Sequence, residues 1–369
     1  MRALLIVNPN ATSTTRQRRD VIVRALASAV DLEVVQTRYR GEATKLAATA
    51  TADKFGLVMT LGGDGTVNEA VNGILGGDGA LSDRASLDPA RDWPDAAATT
   101  FPPDTKTSAA KTSAAKTGAA QWASATAVSH APDLPDAKDL PALAALPGGN
   151  ANVFTRSLML PTDPVDAAGK LIEDLASGRE RCIGLGNANG RYFTFNAGVG
   201  LDAEAVRAVE GRRATGKALT PTLFARTALR QYFQVTDRRH PAITITQPSE
   251  LSGQVVYLCI VSNSAPWTFL GNRPVNATPQ AGFDTGLDLL CFRSLSTVAT
   301  LRTLRQMLST RTEPPHGRSV LSGHDLPVIG LQAGRPVAFQ LDGEYMGEVE
   351  EVLFRSVPQA LRVIGLSMG

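Results

Sequence analysis

Residues able to do chemistry gather in two glycine turns and one late acidic turn. The first is Gly62-Gly63-Asp64-Gly65-Thr66, followed by Asn68 and Glu69. Glycines let a backbone approach a ligand closely, and a helix beginning behind them points free N–H groups at it. That suits phosphate. A carboxylate in the middle repels phosphate, and a bridging Mg²⁺ removes the conflict. A tight strand-to-helix turn with Asp64 and Thr66 as caps is the plainer alternative. Asn68 and Glu69 fall in the first helical turn, where they either orient a nucleotide or cap the helix. The turn has no Lys-Ser/Thr pair as in a Walker A loop and does not spell G-x-G-x-x-G. The second turn is Gly148-Gly149-Asn150, again between a strand and a helix. The late turn, Leu341-Asp342-Gly343-Glu344, joins the Asp-Gly hairpin signal to a further carboxylate.

Regular elements must hold these turns. Leu57–Leu61 has the length of a buried strand. Val67, Ala70, Val71, Ile74 and Leu75 then recur at the spacing of an amphipathic helix. Ala3–Val7 and Leu32–Thr37 read as strands, and Thr14–Val30 and Ala43–Thr51 as helices. Such alternation implies a parallel sheet between helix layers. Asn8 and Thr37 end the first two strands, where ligands collect in open parallel sheets. After a strand at Ala142–Leu146, helices are expected to about Leu158 and over Asp163–Ser177. From Arg181 the runs shorten and alternate: Tyr192–Asn196, Ala242–Gln247, Gln254–Ser262, Leu287–Arg293, Pro336–Leu341 and Glu350–Ser356. These predict an antiparallel sandwich, interrupted by helical stretches at Ala203–Gln234 and Ser296–Leu308.

Composition narrows the options. The chain has 369 residues, enough for two domains, and its 43% hydrophobic and 20% charged content suits a globular protein. A net charge of +2 gives no signal for nucleic acid. Cys182, Cys259 and Cys291 are far apart in sequence and read as small buried apolar residues in a reducing compartment. The apolar run that ends at Asn8-Pro9 is too short for the core of a signal peptide and reads as a first strand, and no apolar run approaches the ~20 residues that span a bilayer. Residues 78–140 break the pattern with a Lys-Thr-Ser-Ala-Ala repeat almost free of large apolar side chains. The composition predicts a disordered insertion, with a helical Ala/Lys spacer as the alternative.

Gly62-Gly63-Asp64-Gly65-Thr66-Val67-Asn68-Glu69 resembles the signature of the diacylglycerol kinase catalytic domain, shared with sphingosine kinases and bacterial lipid kinases. Three further stretches fit in order. Val7-Asn8-Pro9-Asn10-Ala11 resembles VNPxxG, Leu146–Arg156 resembles PxGTxNxFAR, and Gln340–Glu344 resembles VDGE. The resemblance implies an α/β plus β fold. An N-terminal Rossmann-like ATP domain would span 1–179, a β-rich lipid-binding domain 180–355, and 356–369 would return to the first domain.

It also implies an ATP- and Mg²⁺-dependent lipid kinase acting on a primary hydroxyl, of diacylglycerol or a related lipid. Asn8, Thr37, Gly62, Gly63, Asp64, Gly65, Thr66, Asn68, Glu69, Gly149, Asn150 and Asn152 would hold the nucleotide. Asn150 stands where the family has Thr or Ser. Glu344 would be the general base, with Asp64 at the Mg-nucleotide. Phe283–Asp288 resembles DDGxLDV, which implies a structural Mg²⁺ at Asp284, although Thr285 replaces the second Asp of the family's pair. The lipid would be met at the inner membrane face by a cytoplasmic, peripheral enzyme without a transmembrane segment, a homodimer being one option. Ala203–Gln234 interleaves six basic residues with Leu and Phe, as a membrane-surface helix or a solvated face does. Trp267, Phe269 and Leu270 suit an acyl pocket or plain core. The alternatives are an NAD kinase-like enzyme, which also uses a GGDGT turn, and a binding protein without catalysis.

Overall fold

The computed structural model describes residues 1–11, 15–77, 134–201, 203–204, 206, 240–309 and 312–365. Four parallel strands, β1 (Arg2–Val7), β2 (Asp31–Gln36), β3 (Leu57–Gly62) and β4 (Ala142–Pro147), lie in the order β4-β3-β1-β2. Their side chains alternate between two cores, as a period of two requires. Ala3, Leu5 and Val7 of β1 meet α1 (Arg16–Ala27) and α5 (Pro164–Ala176) on one face. Leu4 and Ile6 meet α2 (Glu42–Ala52), α3 (Asp64–Leu75) and α4 (Val153–Ser157) on the other. The facing side of α2 is small, with Ala43, Ala47 and Ala50 buried. A Cβ on Gly73 of α3 would lie 2.2 Å from the Thr44 carbonyl, so only glycine lets these helices pack this closely.

The remaining strands pair antiparallel. They are β5 (Glu180–Ala188), β6 (Arg191–Phe193), β7 (Asn196–Gly200), β8 (Ile243–Gln247), β9 (Val255–Val256), β10 (Leu258–Ser262), β13 (Leu287–Phe292), β14 (Val320–Leu326), β15 (Val328–Leu341) and β16 (Glu344–Ile364). A separate hairpin is made by β11 (Thr268–Leu270) and β12 (Arg273–Val275), and α6 is Thr297–Met307. Phe193, Phe339 and Phe354 anchor the core of this half. At its start β16 pairs with β15, then with β5, and at Val363 it lies beside Leu143 of β4. One strand therefore joins the antiparallel half to the parallel half.

Several expectations meet differences. The run at Gln254–Ser262 is split at Tyr257 into β9 and β10. Both β15 and β16 are far longer than the short strands expected, because Val328–Gln332 of β15 pairs with Glu351–Arg355 ahead of a bulge, and β16 runs on past Ser356 to pair with β5. Residues 134–140, placed by the sequence in the insertion, are among those described. Leu134 packs on the core, Ala137 and Leu140 are buried, and Arg362 donates to the carbonyls of both. The expected insertion up to residue 133, and most of the expected helix Ala203–Gln234, lie outside the described residues. Cys259 and Cys291 stand directly opposite on β10 and β13, fully buried with their sulfurs 2.9 Å apart, while Cys182 is half-buried.

Candidate active site

Both glycine turns sit at the C-terminal ends of neighbouring parallel strands, with their backbones in contact. The Gly148 N–H donates to the Gly62 carbonyl at 2.7 Å. A Cβ on Gly149 would lie 2.7 Å from the Gly63 Cα, so a side chain there would push the turns apart. Asn152 adopts a left-handed backbone (φ 46°) and folds back on Gly149, accepting from its N–H and donating to its carbonyl, both at 2.8 Å. This starts α4, whose Phe154 N–H donates to Asp64 Oδ1 at 3.0 Å. Asp64 thus ties the first turn to the helix behind the second. Asn8, at the end of β1, donates to the Thr66 hydroxyl at 3.2 Å. Thr37, beyond β2, hydrogen-bonds to the Val7 carbonyl. Asn150 is exposed on the second turn.

The late turn closes over the first. Glu344 opens β16, and its carboxylate lies against Gly65, where any Cβ would overlap it. Arg40, in the loop after β2, pairs with Glu344 at 3.1 Å. Two residues earlier, Asp342 is buried. It accepts from Asn68 Nδ2 (2.8 Å), the Thr194 N–H (2.7 Å) and hydroxyl (2.9 Å), and the N–H groups of Phe195 (3.0 Å) and Asn196 (3.2 Å). Burial raises its pKa and these donors pull it back.

Asn68 spends its remaining capacity on the Tyr192 carbonyl and the Arg191 guanidinium. Glu69 accepts from the Gly41 and Ala43 N–H groups at 2.7 and 3.2 Å, so it caps α2 and not its own helix. Asn68 and Glu69 therefore brace the site from within the protein. Arg40, Arg191 and the linking role of Asp342 were not read from the sequence. They depend on pairs 100 or more residues apart, for which no local pattern exists.

Asp284 is exposed and pairs with Arg181, away from the glycine turns. The Thr285 hydroxyl lies 3.0 and 3.2 Å from the Gly282 and Gly286 carbonyls. Among the described residues no group of three His, Cys, Asp or Glu is placed to hold a metal ion. Its carboxylate and carbonyls face protein partners, so a cation at Asp284 would have to displace Arg181. At Asp64 the fit is better. A Mg²⁺ carried by nucleotide phosphates needs only one or two protein carboxylates.

Burial pushes the Asp64 carboxyl up to about 6, with the Phe154 and Val153 N–H groups opposing and Asp342 adding to the rise. A raised carboxyl favours the protonated folded state, so its stabilising share is complete below the ordinary value of 3.8 and is lost as pH climbs through about 6. Asp64→Asn keeps an acceptor for Phe154 and removes the charge. It is expected to stabilise the protein near neutral pH by roughly 1–3 kcal/mol, at ~1.4 kcal/mol per pKa unit. The gain should vanish near pH 4, and thermal melts across that range check it. Equal melting of both proteins at neutral pH would show that Asp64 carries no buried charge.

Residues 2–88 match the family model described as the diacylglycerol kinase catalytic domain. The chain is 23% identical over 194 residues to a diacylglycerol kinase of Staphylococcus saprophyticus, covering 52% of this chain and 43% of the relative. It is 24% identical over 201 residues to one of Bacillus subtilis, covering 54% and 46%. The chain thus spans about half the length of the curated relatives it matches. A solved diacylglycerol kinase structure from Bacillus anthracis superposes with a TM-score of 0.61 at 17% identity, over 99% of this chain and 96% of that one. A second from the same organism, described as a candidate diacylglycerol kinase, gives 0.64 at 20%, with the same coverage. At these identities the likeness establishes the fold. No helix among the described residues is long and apolar enough to cross a membrane.

Proposed function

We propose that this chain, whose residues 2–88 match the diacylglycerol kinase catalytic domain, is an ATP-dependent lipid kinase that phosphorylates the primary hydroxyl of diacylglycerol or a related lipid. The observation that carries this reading is the contact of the Glu344 carboxylate with Gly65. It puts a base beside a phosphate-type turn, as phosphoryl transfer demands. The N–H groups of the Gly63–Gly65 turn and the Thr66 hydroxyl would hold nucleotide phosphates, with Asn8 fixing that hydroxyl and the Thr66 N–H spent on the Gly63 carbonyl. Asn8 and Thr37 line the adenine-nucleotide side, and Gly149, Asn150 and Asn152 form the facing wall. Asp64 would hold the Mg²⁺, which neutralises phosphate charge when bound.

The lipid oxygen attacks the γ-phosphorus and its proton passes to Glu344. The new O–P bond forms as the bond to the β,γ-bridging oxygen breaks, and ADP leaves. Arg40 neutralises Glu344 in the absence of substrate and is a second cation for the phosphates.

Transfer of ³²P from Mg-ATP to a panel of diacylglycerol, long-chain amino alcohols and NAD tests the reading. Label is expected in diacylglycerol or another hydroxyl lipid. Label in NAD would favour an NAD kinase-like enzyme, and no label at all a binding protein; either outcome overturns the proposal.

A further inference from the structure

Away from the cleft, α6 (Thr297–Met307) is inverted relative to an ordinary surface helix. Ser296 caps it, accepting from the Ala299 N–H. Its buried face is Thr300, Thr303 and Met307. Its apolar residues face outward: Val298 is 81% exposed, Leu301 58% and Leu304 39%. Surface helices place such residues inside, so an outward stripe marks a surface that meets an apolar partner. Arg302 and Arg305 are exposed on the same side, at i+4 and i+7 from Val298. Residues 293–318 contain five arginines and one acidic residue, Glu313.

We propose that this face of α6 docks on an anionic lipid surface, with Val298, Leu301 and Leu304 entering the headgroup region and Arg302 and Arg305 meeting lipid phosphates. Charge decides between occupants. In a two-fold dimer through this face, the arginines would confront their own copies. An anionic bilayer instead gains from each of them. The face is also tied to the cleft. At its C-terminal end, Arg273 of the β11–β12 hairpin donates to the Leu308 carbonyl at 2.6 Å, and the Asn276 N–H to Met307 at 2.7 Å. The other side of the hairpin meets α4, where the Arg156 guanidinium lies 3.3 Å above the Phe269 ring and donates to the Gly271 carbonyl. Leu270, at the hairpin tip, is 39% exposed. The proposal rests on the lipid-kinase reading and gives that site the surface on which its substrate arrives.

Cosedimentation with phosphatidylcholine vesicles, with and without phosphatidylglycerol, tests it. The wild type should bind the anionic vesicles, less so at high salt. V298S/L301S/L304S and R302E/R305E should each lower binding by roughly tenfold or more, the first through lost buried apolar area and the second through lost attraction to lipid phosphates. Both variants should keep wild-type turnover of detergent-dispersed substrate, since neither touches the cleft. Unchanged binding by the variants, or no binding by the wild type, overturns the docking face. So does a dimer that the serine variant dissociates without loss of vesicle binding. Vesicle binding without any turnover in detergent would instead sink the kinase reading and leave the docking face standing.

Discussion

Glu344→Gln is expected to transfer phosphate at least ~10²-fold more slowly than the wild type, the usual scale of general-base catalysis. The amide keeps the size of the carboxylate and still accepts from Arg40, so Mg-ATP affinity should stay near normal. The lost ion pair is solvent-exposed on the Arg40 side and contributes less than ~1 kcal/mol. Single-turnover kinetics together with nucleotide binding separate the roles. A solvated hairpin glutamate would tolerate the change in both measurements. A nucleotide ligand would weaken binding first. Normal turnover would remove Glu344 as the base, and with it the main geometric support for lipid phosphorylation in this cleft.

Asp342→Ala should be the most damaging substitution for stability. It strands five donors, from Asn68, Thr194, Phe195 and Asn196, around a buried gap. Each unsatisfied buried donor costs ~1–3 kcal/mol, and water entering the gap recovers part of this. A loss on the order of 4 kcal/mol is expected, or roughly 5 °C in melting temperature for a chain of this length. Asp342→Asn should fall between, because its amide keeps one acceptor but turns two donors on donors. Turnover should fall with it, since Glu344 is two residues away on the same turn. A melting temperature within ~1 °C of wild type, under ~1 kcal/mol for a protein of this size, would show that the carboxylate is not the link described here.

In the parallel half β1, β3 and β4 were legible because they are buried on both faces and read as apolar runs, β3 and β4 being ended by glycines that only a turn explains. The antiparallel half was legible only in its class. Nothing local announces that Val328–Leu341 forms one bulged strand between β16 on one side and β7 and β8 on the other, since register and pairing decide it. The candidate site was legible as three separate turns. Their assembly was not, because Asp64 reaches Phe154, Asn68 reaches Asp342 and Glu69 reaches Gly41 across long sequence separations. The same holds for Cys259 and Cys291, remote in sequence and opposed in space. Asn68 and Glu69 show the limit best. The choice between nucleotide contact and helix cap omitted what the fold does with Glu69, which is to cap a different helix.

The run of β16 from Glu344 to Ile364 has a mechanical consequence. A cleft between two bodies joined by a slack linker can open like a jaw, but here a paired strand begins at the cleft and ends beside β4. Swinging the halves apart must bend a hydrogen-bonded ribbon. Its pairing with β5 is interrupted between Val357 and Leu361, where Pro358 has no N–H to give and Gln359 is left-handed at φ 50°. Compliance is concentrated in those few residues. Any opening of the cleft would have to flex at that bulge, well along the chain from Glu344.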